Sequence, residues 1–223
     1  MGDEVVVENA GVTVRLHYIP GSAAMAPHAA LAEAGVDYEL VLVERDAAGR
    51  SPAEYLALNP SGRVPTLEDG DLALTESAAI VLHVAERFPD ARLVPPHRTR
   101  ERSEVYRWLM FLTNTLQPAF LHWFYPERYT TDPAGEPAIR ALAAETIGEQ
   151  LDRLDAELAD RPWLVGDERT GADLFLFMLV RWGRKQAPPA WDRQNLRDHF
   201  TRLLDRPGVR RMMDEQGLEI PSL

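Results

Sequence analysis

Short alternating runs of apolar and polar residues occur only in the first third of this chain, and helical spacing takes over completely beyond residue 97. The switch constrains the fold to a mixed α/β unit followed by an all-helical one. Residues 12–18 (VTVRLHY) alternate and are rich in β-branched side chains, so they predict a strand broken by Pro20-Gly21-Ser22. Residues 26–35 then predict a helix, with Pro27 near its start and Gly35 as its stop. Tyr38 to Val43 alternates again, which makes a strand–helix–strand unit of the length a parallel crossover needs. A short helix over 51–58, a turn at Asn59-Pro60-Ser61-Gly62 and two brief extended pieces, 64–67 and 72–74, follow. Asp69-Gly70-Asp71 joins those pieces as a hairpin, and 76–87 is helical up to Pro89. The order is β-α-β-α-β-β-α.

Pro95-Pro96-His97 cannot continue a helix and reads as a linker, dividing the chain into domains at 1–92 and 98–223. Val105, Trp108, Leu109, Leu112 and Leu116 recur at helical spacing, as do Ile147, Leu151, Leu154 and Leu158. A polar loop from Pro126 to Pro137 separates the two helices. Thr170-Gly171-Ala172-Asp173 opens a very apolar helix, with Thr170 and Asp173 spaced as a capping box. Residues 1–11 precede the first strand and receive no role.

The formal charge of −11 argues against a phosphate-backbone binder, so no nucleic-acid partner is expected. The longest apolar run, Leu174 to Val180, is far short of the ~20 residues of a membrane span. With no signal-like start either, the expected compartment is the cytoplasm. There is no cysteine, which excludes a disulfide, a thiolate metal site and a protein-borne thiol nucleophile. The six histidines (17, 28, 83, 97, 122 and 199) have neither the i,i+4 spacing nor the company of a metal site, so no metal is expected.

Four segments in order resemble the cytosolic glutathione transferases, most nearly the bacterial beta-class pattern. Tyr18 to His28 looks like the family's first strand–turn–helix, and Asn59-Pro60-Ser61-Gly62-Arg63-Val64-Pro65 like its N-P-x-G-x-V-P segment. Thr75-Glu76-Ser77 looks like its T-E-S element, and Thr170 to Asp173 like its helix cap. The resemblance implies a thioredoxin-like α/β domain plus an all-α C-terminal domain, a homodimer, and glutathione or another small thiol as co-substrate. It implies a cis Val64-Pro65 bond, with Arg63, Val64 and Pro65 lining the thiol site and the Val64 backbone pairing with the tripeptide as an added strand. Ser77 would hold the γ-glutamyl carboxylate at a helix start, with Glu76 facing its ammonium.

The reactive position departs from that pattern. The thiolate is the nucleophile and needs a stabilising group beside it. Ala23 and Ala24 stand where the beta-class Cys and the Ser after it align, and Gln117 replaces the cleft His. Three substitutes remain: the Ser22 hydroxyl first, the Tyr18 phenol second, or the backbone N–H groups of residues 23–25 alone. Met110, Asn114 and Gln117 share one helical face with Leu121 and are the candidate wall of an electrophile pocket; a solvated face or a dimer contact is the competing reading. Trp123, Phe124, Tyr125, Arg128 and Tyr129 form an aromatic cluster with one cation, suited to covering a hydrophobic substrate or to packing on the neighbouring helix.

The function these readings imply is addition of a thiol to a small hydrophobic electrophile, such as an aryl halide, an epoxide or an activated alkene. The alternatives are thiol-dependent cis–trans isomerisation and a binding or chaperone-like protein that keeps the fold without the chemistry.

Overall fold

The computed structural model describes residues 14–221. Residues 1–11 and the expected first two positions of the opening strand lie outside the described residues. The first unit runs β1 (Val14–Tyr18), α1 (Met25–Ala34), β2 (Tyr38–Leu42), α2 (Ala53–Leu58), β3 (Thr66–Asp69), β4 (Leu72–Thr75) and α3 (Ser77–Arg87). The strands form one sheet in the order β2-β1-β3-β4. β1 and β2 are parallel, with Val14 opposite Tyr38, while β1–β3 and β3–β4 are antiparallel. Gly35 ends α1 in the left-handed conformation at φ 67°, the stop its position suggests.

The third strand begins at Thr66, two residues later than the sequence predicts. Pro65 has no N–H to give to a ladder, so pairing starts beyond it. The expected cis Val64-Pro65 bond is present.

After a single 3₁₀ turn and the proline segment, the second unit runs α4 (Arg100–Phe111), α5 (Gln117–Phe124), α6 (Glu136–Glu157), α7 (Gly171–Trp182), α8 (Gln194–Leu204) and α9 (Pro207–Glu215). A π-helical turn over Leu112–Leu116 joins α4 to α5 as one rod. The interhelix loop closes at Gly135 rather than Pro137. Pro137 sits in the first turn of α6, where its missing N–H costs no helical bond.

Every residue of α7 is buried, so this helix is the spine of the second domain. Its start carries the predicted capping box. The Thr170 N–H and hydroxyl donate to Asp173 Oδ2 at 2.7 and 2.9 Å, and Oδ1 accepts from the Leu164 N–H and bonds His199 Nε2, each at 2.9 Å.

The two domains share one core. α1 packs on α3, α7 and α9. The approach is close enough that a Cβ on Gly208 would lie 2.6 Å from the Glu33 backbone nitrogen. The buried Glu33 carboxylate reaches across to Arg169 and Arg206, which donate at 2.5 and 2.7 Å. Burial alone would raise the Glu33 pKa; the bonds from Arg206 and Arg169 outweigh it and hold the group below the usual carboxylate range.

Candidate functional site

Three backbone features converge near one end of the sheet. The first is the segment entering β3. Tyr55 Oη and Asn59 Nδ2 donate to the Arg63 carbonyl at 2.6 and 2.7 Å, and both side chains also bond Thr66 Oγ1. Arg63 and Thr66 are thereby pinned on either side of Val64-Pro65. Among the described residues no hydrogen bond engages the Val64 N–H or C=O. A half-buried backbone pair left open beside a sheet is a place for an extended peptide to bond.

The second feature is the start of α3. Glu76 precedes the helix at φ 69°, a conformation that L side chains rarely adopt. Strain of this kind persists where surrounding structure enforces it, commonly at ligand-binding positions. It delivers the buried Ser77 as the first helical residue, where free N–H groups and the dipole favour an anion.

The third feature is the turn between β1 and α1. Gly21 has φ 70°, Ser22 follows, and α1 begins at Met25. The Ala24 N–H donates to Ser22 Oγ at 3.2 Å. The hydroxyl therefore acts as an acceptor toward the helix and keeps its own hydrogen for another partner. Ala23 and Ala24 offer only backbone groups here.

Gly21 is held by residues remote in sequence. Its N–H donates to Gln216 Oε1 at 3.0 Å, and its carbonyl accepts from Trp182 Nε1 at 2.9 Å. Gln216 also bonds the buried His28 Nδ1 at 3.0 Å, while His28 Nε2 meets Glu215 at 2.8 Å and Tyr38 at 3.1 Å. Burial drives the His28 pKa below its ordinary value, against the opposing pull of Glu215. Trp182 and Gln216 were not legible as site residues, because they lie 161 and 195 positions from Gly21 in the chain.

Tyr18, the second candidate at the reactive position, is half-buried with its ring 6.5 Å from His28 and edge-on to it. In the second domain, Met110 is 48% exposed, Asn114 is exposed and Gln117 is half-buried. The π turn between Met110 and Gln117 alters the regular spacing that placed all three on one face. Phe124 packs against Phe120 and Trp182, so in part the aromatic cluster is core. Arg128 lies over the Tyr125 ring at 3.9 Å.

A cavity of about 710 Å³ at the domain junction is lined by Ala85, Pro95, Arg102 and Val165, at the opposite end of α3 from Ser77. It takes no part in this site. Among the described residues no group of three or more His, Asp or Glu side chains is placed to hold a metal ion. No helix among them is long and apolar enough to cross a membrane.

The molecule thus joins a thioredoxin-like domain, with an open backbone pair before β3, to a helical domain that grips its first turn. Comparison with known proteins agrees. Residues 12–86 match the glutathione S-transferase N-terminal domain, and residues 128–207 match the C-terminal domain. Glutathione S-transferase GST-4.5 of Xanthomonas campestris pv. campestris is 33% identical over 205 residues, covering 92% of this chain and all of the relative. GstA of Escherichia coli O157:H7 is 30% identical, with the same coverage.

Among solved structures, a glutathione S-transferase from Xylella fastidiosa has a TM-score of 0.84 at 30% identity, covering 92% of this chain and all of the other. A sphingomonad glutathione S-transferase solved in complex with glutathione gives 0.79 at 31%, with the same coverage. The chain belongs to the glutathione S-transferase family. Its class is that of the glutathione-dependent transferases, and a purely non-catalytic binding role is not favoured.

Proposed function

We propose that this glutathione-dependent transferase holds the tripeptide between Val64-Pro65 and Glu76-Ser77 and presents its sulfur to the turn at Ser22. The observation that carries this reading is the unbonded Val64 backbone pair, flanked by a helix start suited to a carboxylate. The Val64 N–H and C=O take the cysteinyl backbone as an added strand. The Ser77 N–H and hydroxyl donate to the γ-glutamyl carboxylate, Glu76 faces the ammonium, and Arg63 lies at the edge of the same segment. The sulfur then lies at the first turn of α1, where the Ser22 hydroxyl donates to it and the helix start favours its ionised form. Tyr18 lines the strand side of the turn in this reading.

The electrophile is a small hydrophobic molecule that enters between this turn and the α4–α5 rod, with Gln117 and Asn114 as the polar groups on that side. Met110 is shared between this wall and an apolar face. It lies one helical turn from the exposed Tyr106, and the exposed Leu72 lies on the β4 edge. Such side chains suit a second copy of the chain, and a homodimer is part of the proposal. The proposed compartment is the cytoplasm, where small thiols are kept reduced.

Titrating glutathione while following thiolate absorbance at neutral pH, in the wild type and in Ser22→Ala, tests the reading. Binding with thiolate formation in the wild type, diminished in the variant, is expected. Binding without any thiolate in the wild type would overturn the enzymatic assignment of this turn. Light scattering on the purified protein reports the oligomeric state.

A further inference from the structure

Arg181 lies near the end of α7 and is only 6% exposed. Its Nε is buried without a hydrogen-bond partner, and no carboxylate among the described residues lies within ion-pair distance of it. A buried cation normally sits beside a counter-charge, because removing it from water is costly otherwise. The charged groups acting on Arg181 are the like charge of Arg184 and, with a smaller effect, the opposite charge of Glu219. Burial, followed by the repulsion of Arg184, pushes its pKa down to about 10, with Glu219 opposing. The guanidinium therefore remains charged at neutral pH, and among the described residues no carboxylate pairs with it directly.

Its position gives that missing anion a place. Arg181 Nη1 lies 3.7 Å from the point a Cβ would occupy on Gly21, the residue before Ser22. Leu218 covers the same spot from the C-terminal segment at 3.6 Å. Gly21 is held rigidly by Trp182 and Gln216, so the distance between the cation and the turn is fixed by tertiary contacts. The other titratable groups around the turn are Tyr18 on β1, His28 on α1, Tyr38 on β2 and Glu215 at the end of α9. His28, Tyr38 and Glu215 bond one another, so their polarity is spent within that network.

We propose that Arg181 is the cation that favours an ionised glutathione sulfur in this chain, acting through space on the Gly21–Ala24 turn where Ala23 and Ala24 carry no polar side chain. The inference rests on the reading of that turn as the sulfur site. In the step concerned, the S–H bond of bound glutathione breaks, the proton leaves to water and the electron pair stays on sulfur. Arg181 touches neither atom. It lowers the free energy of the thiolate relative to the thiol, and the unliganded protein carries the unbalanced charge until the thiolate forms.

The experiment compares the full-length wild type with Arg181→Met, Arg181→Gln and Arg181→Lys. Thiolate absorbance of bound glutathione is titrated against pH, and glutathione affinity is measured by calorimetry. The proposal expects the bound thiol pKa to rise by about one unit in Arg181→Met and Arg181→Gln, roughly a tenfold loss of thiolate at neutral pH. Arg181→Lys recovers most of the shift. Glutathione affinity changes little at a pH well below the bound thiol pKa, where the sulfur is protonated in every variant, but falls about tenfold in Arg181→Met and Arg181→Gln above the thiol pKa.

Urea unfolding should find Arg181→Met at least as stable as the wild type, since an uncompensated buried charge is being removed. A residue with a merely structural role would instead lower stability and leave the thiol pKa alone. Unchanged thiol pKa in Met and Gln variants that still bind glutathione overturns the role of Arg181 and leaves the site reading intact. Absence of glutathione binding by the wild type overturns the site reading itself.

Discussion

The proposed tripeptide cradle and the proposed sulfur turn lie in the same small domain, yet they are built by opposite means. The cradle is local. Tyr55, Asn59 and Thr66 fix Val64-Pro65 from within 11 residues of one another, and Ser77 opens α3 two residues after the end of β4. The turn is remote in its support, held by Trp182 and Gln216 from the other domain. Binding and activation can therefore be damaged independently. On the proposed assignment, a change in the cradle should act on affinity, whereas a change in the helical domain should act on the sulfur while the cradle stays formed.

The largest effect that sharpens this contrast is expected at Asp173→Asn. Asp173 accepts from Thr170 and Leu164 and bonds His199, all in the core from which Trp182 extends. Losing the charge should cost about 3 kcal/mol in urea unfolding and weaken the hold on Gly21. Slightly smaller is Glu33→Gln, at roughly 2–3 kcal/mol, because Arg169 and Arg206 lose their shared carboxylate at the domain boundary.

The pH dependence of Glu33 follows from its lowered folded-state pKa. Its stabilisation is fully present above the unfolded value of about 4.3 and is lost as pH falls through the folded value. Between pH 5 and 3 the wild type should lose more stability than Glu33→Gln. Equal slopes in urea titrations at several pH values would count against this coupling.

Gln216→Ala comes next. It strips the Gly21 N–H and His28 Nδ1 of a partner, and about a tenfold fall in turnover with near-constant glutathione affinity is expected from steady-state kinetics. The smallest effect, and the mirror image, is Ser77→Ala. About 1 kcal/mol of glutathione affinity should disappear in calorimetry, with the thiol pKa of the bound tripeptide unchanged. If Ser77→Ala moved the thiol pKa as much as Gln216→Ala moved turnover, the separation between cradle and turn would collapse.

The proposed cradle could be drawn from the sequence because its parts are near neighbours. Asn59 to Pro65 and Thr75 to Ser77 each carry turn or helix-start chemistry within a few residues. The β-α-β-α-β-β-α order and the Thr170–Asp173 cap were readable for the same reason: alternation, helical spacing and caps are local signals. The start of β3 was misplaced by two residues because alternation takes no account of the N–H that Pro65 lacks. The face assigned to Met110, Asn114 and Gln117 assumed an unbroken helix. The π turn at Leu112–Leu116 precedes Pro118, which has no N–H to give to the Asn114 carbonyl, and a reading from apolar spacing alone takes no account of that lost bond.

The sequence by itself determined that one half alternates, that the other is helical, and where the two segments of the proposed cradle lie. It also determined that positions 23 and 24 bring no reactive side chain, since alanine has none to bring. Only the tertiary structure decided what surrounds those alanines. α1 packing on α7 and α9 sets Trp182, Gln216 and an unbalanced Arg181 against Gly21. A field or a hydrogen bond depends on distance in space. Residues 160 or more positions apart acquire that distance only when the core closes.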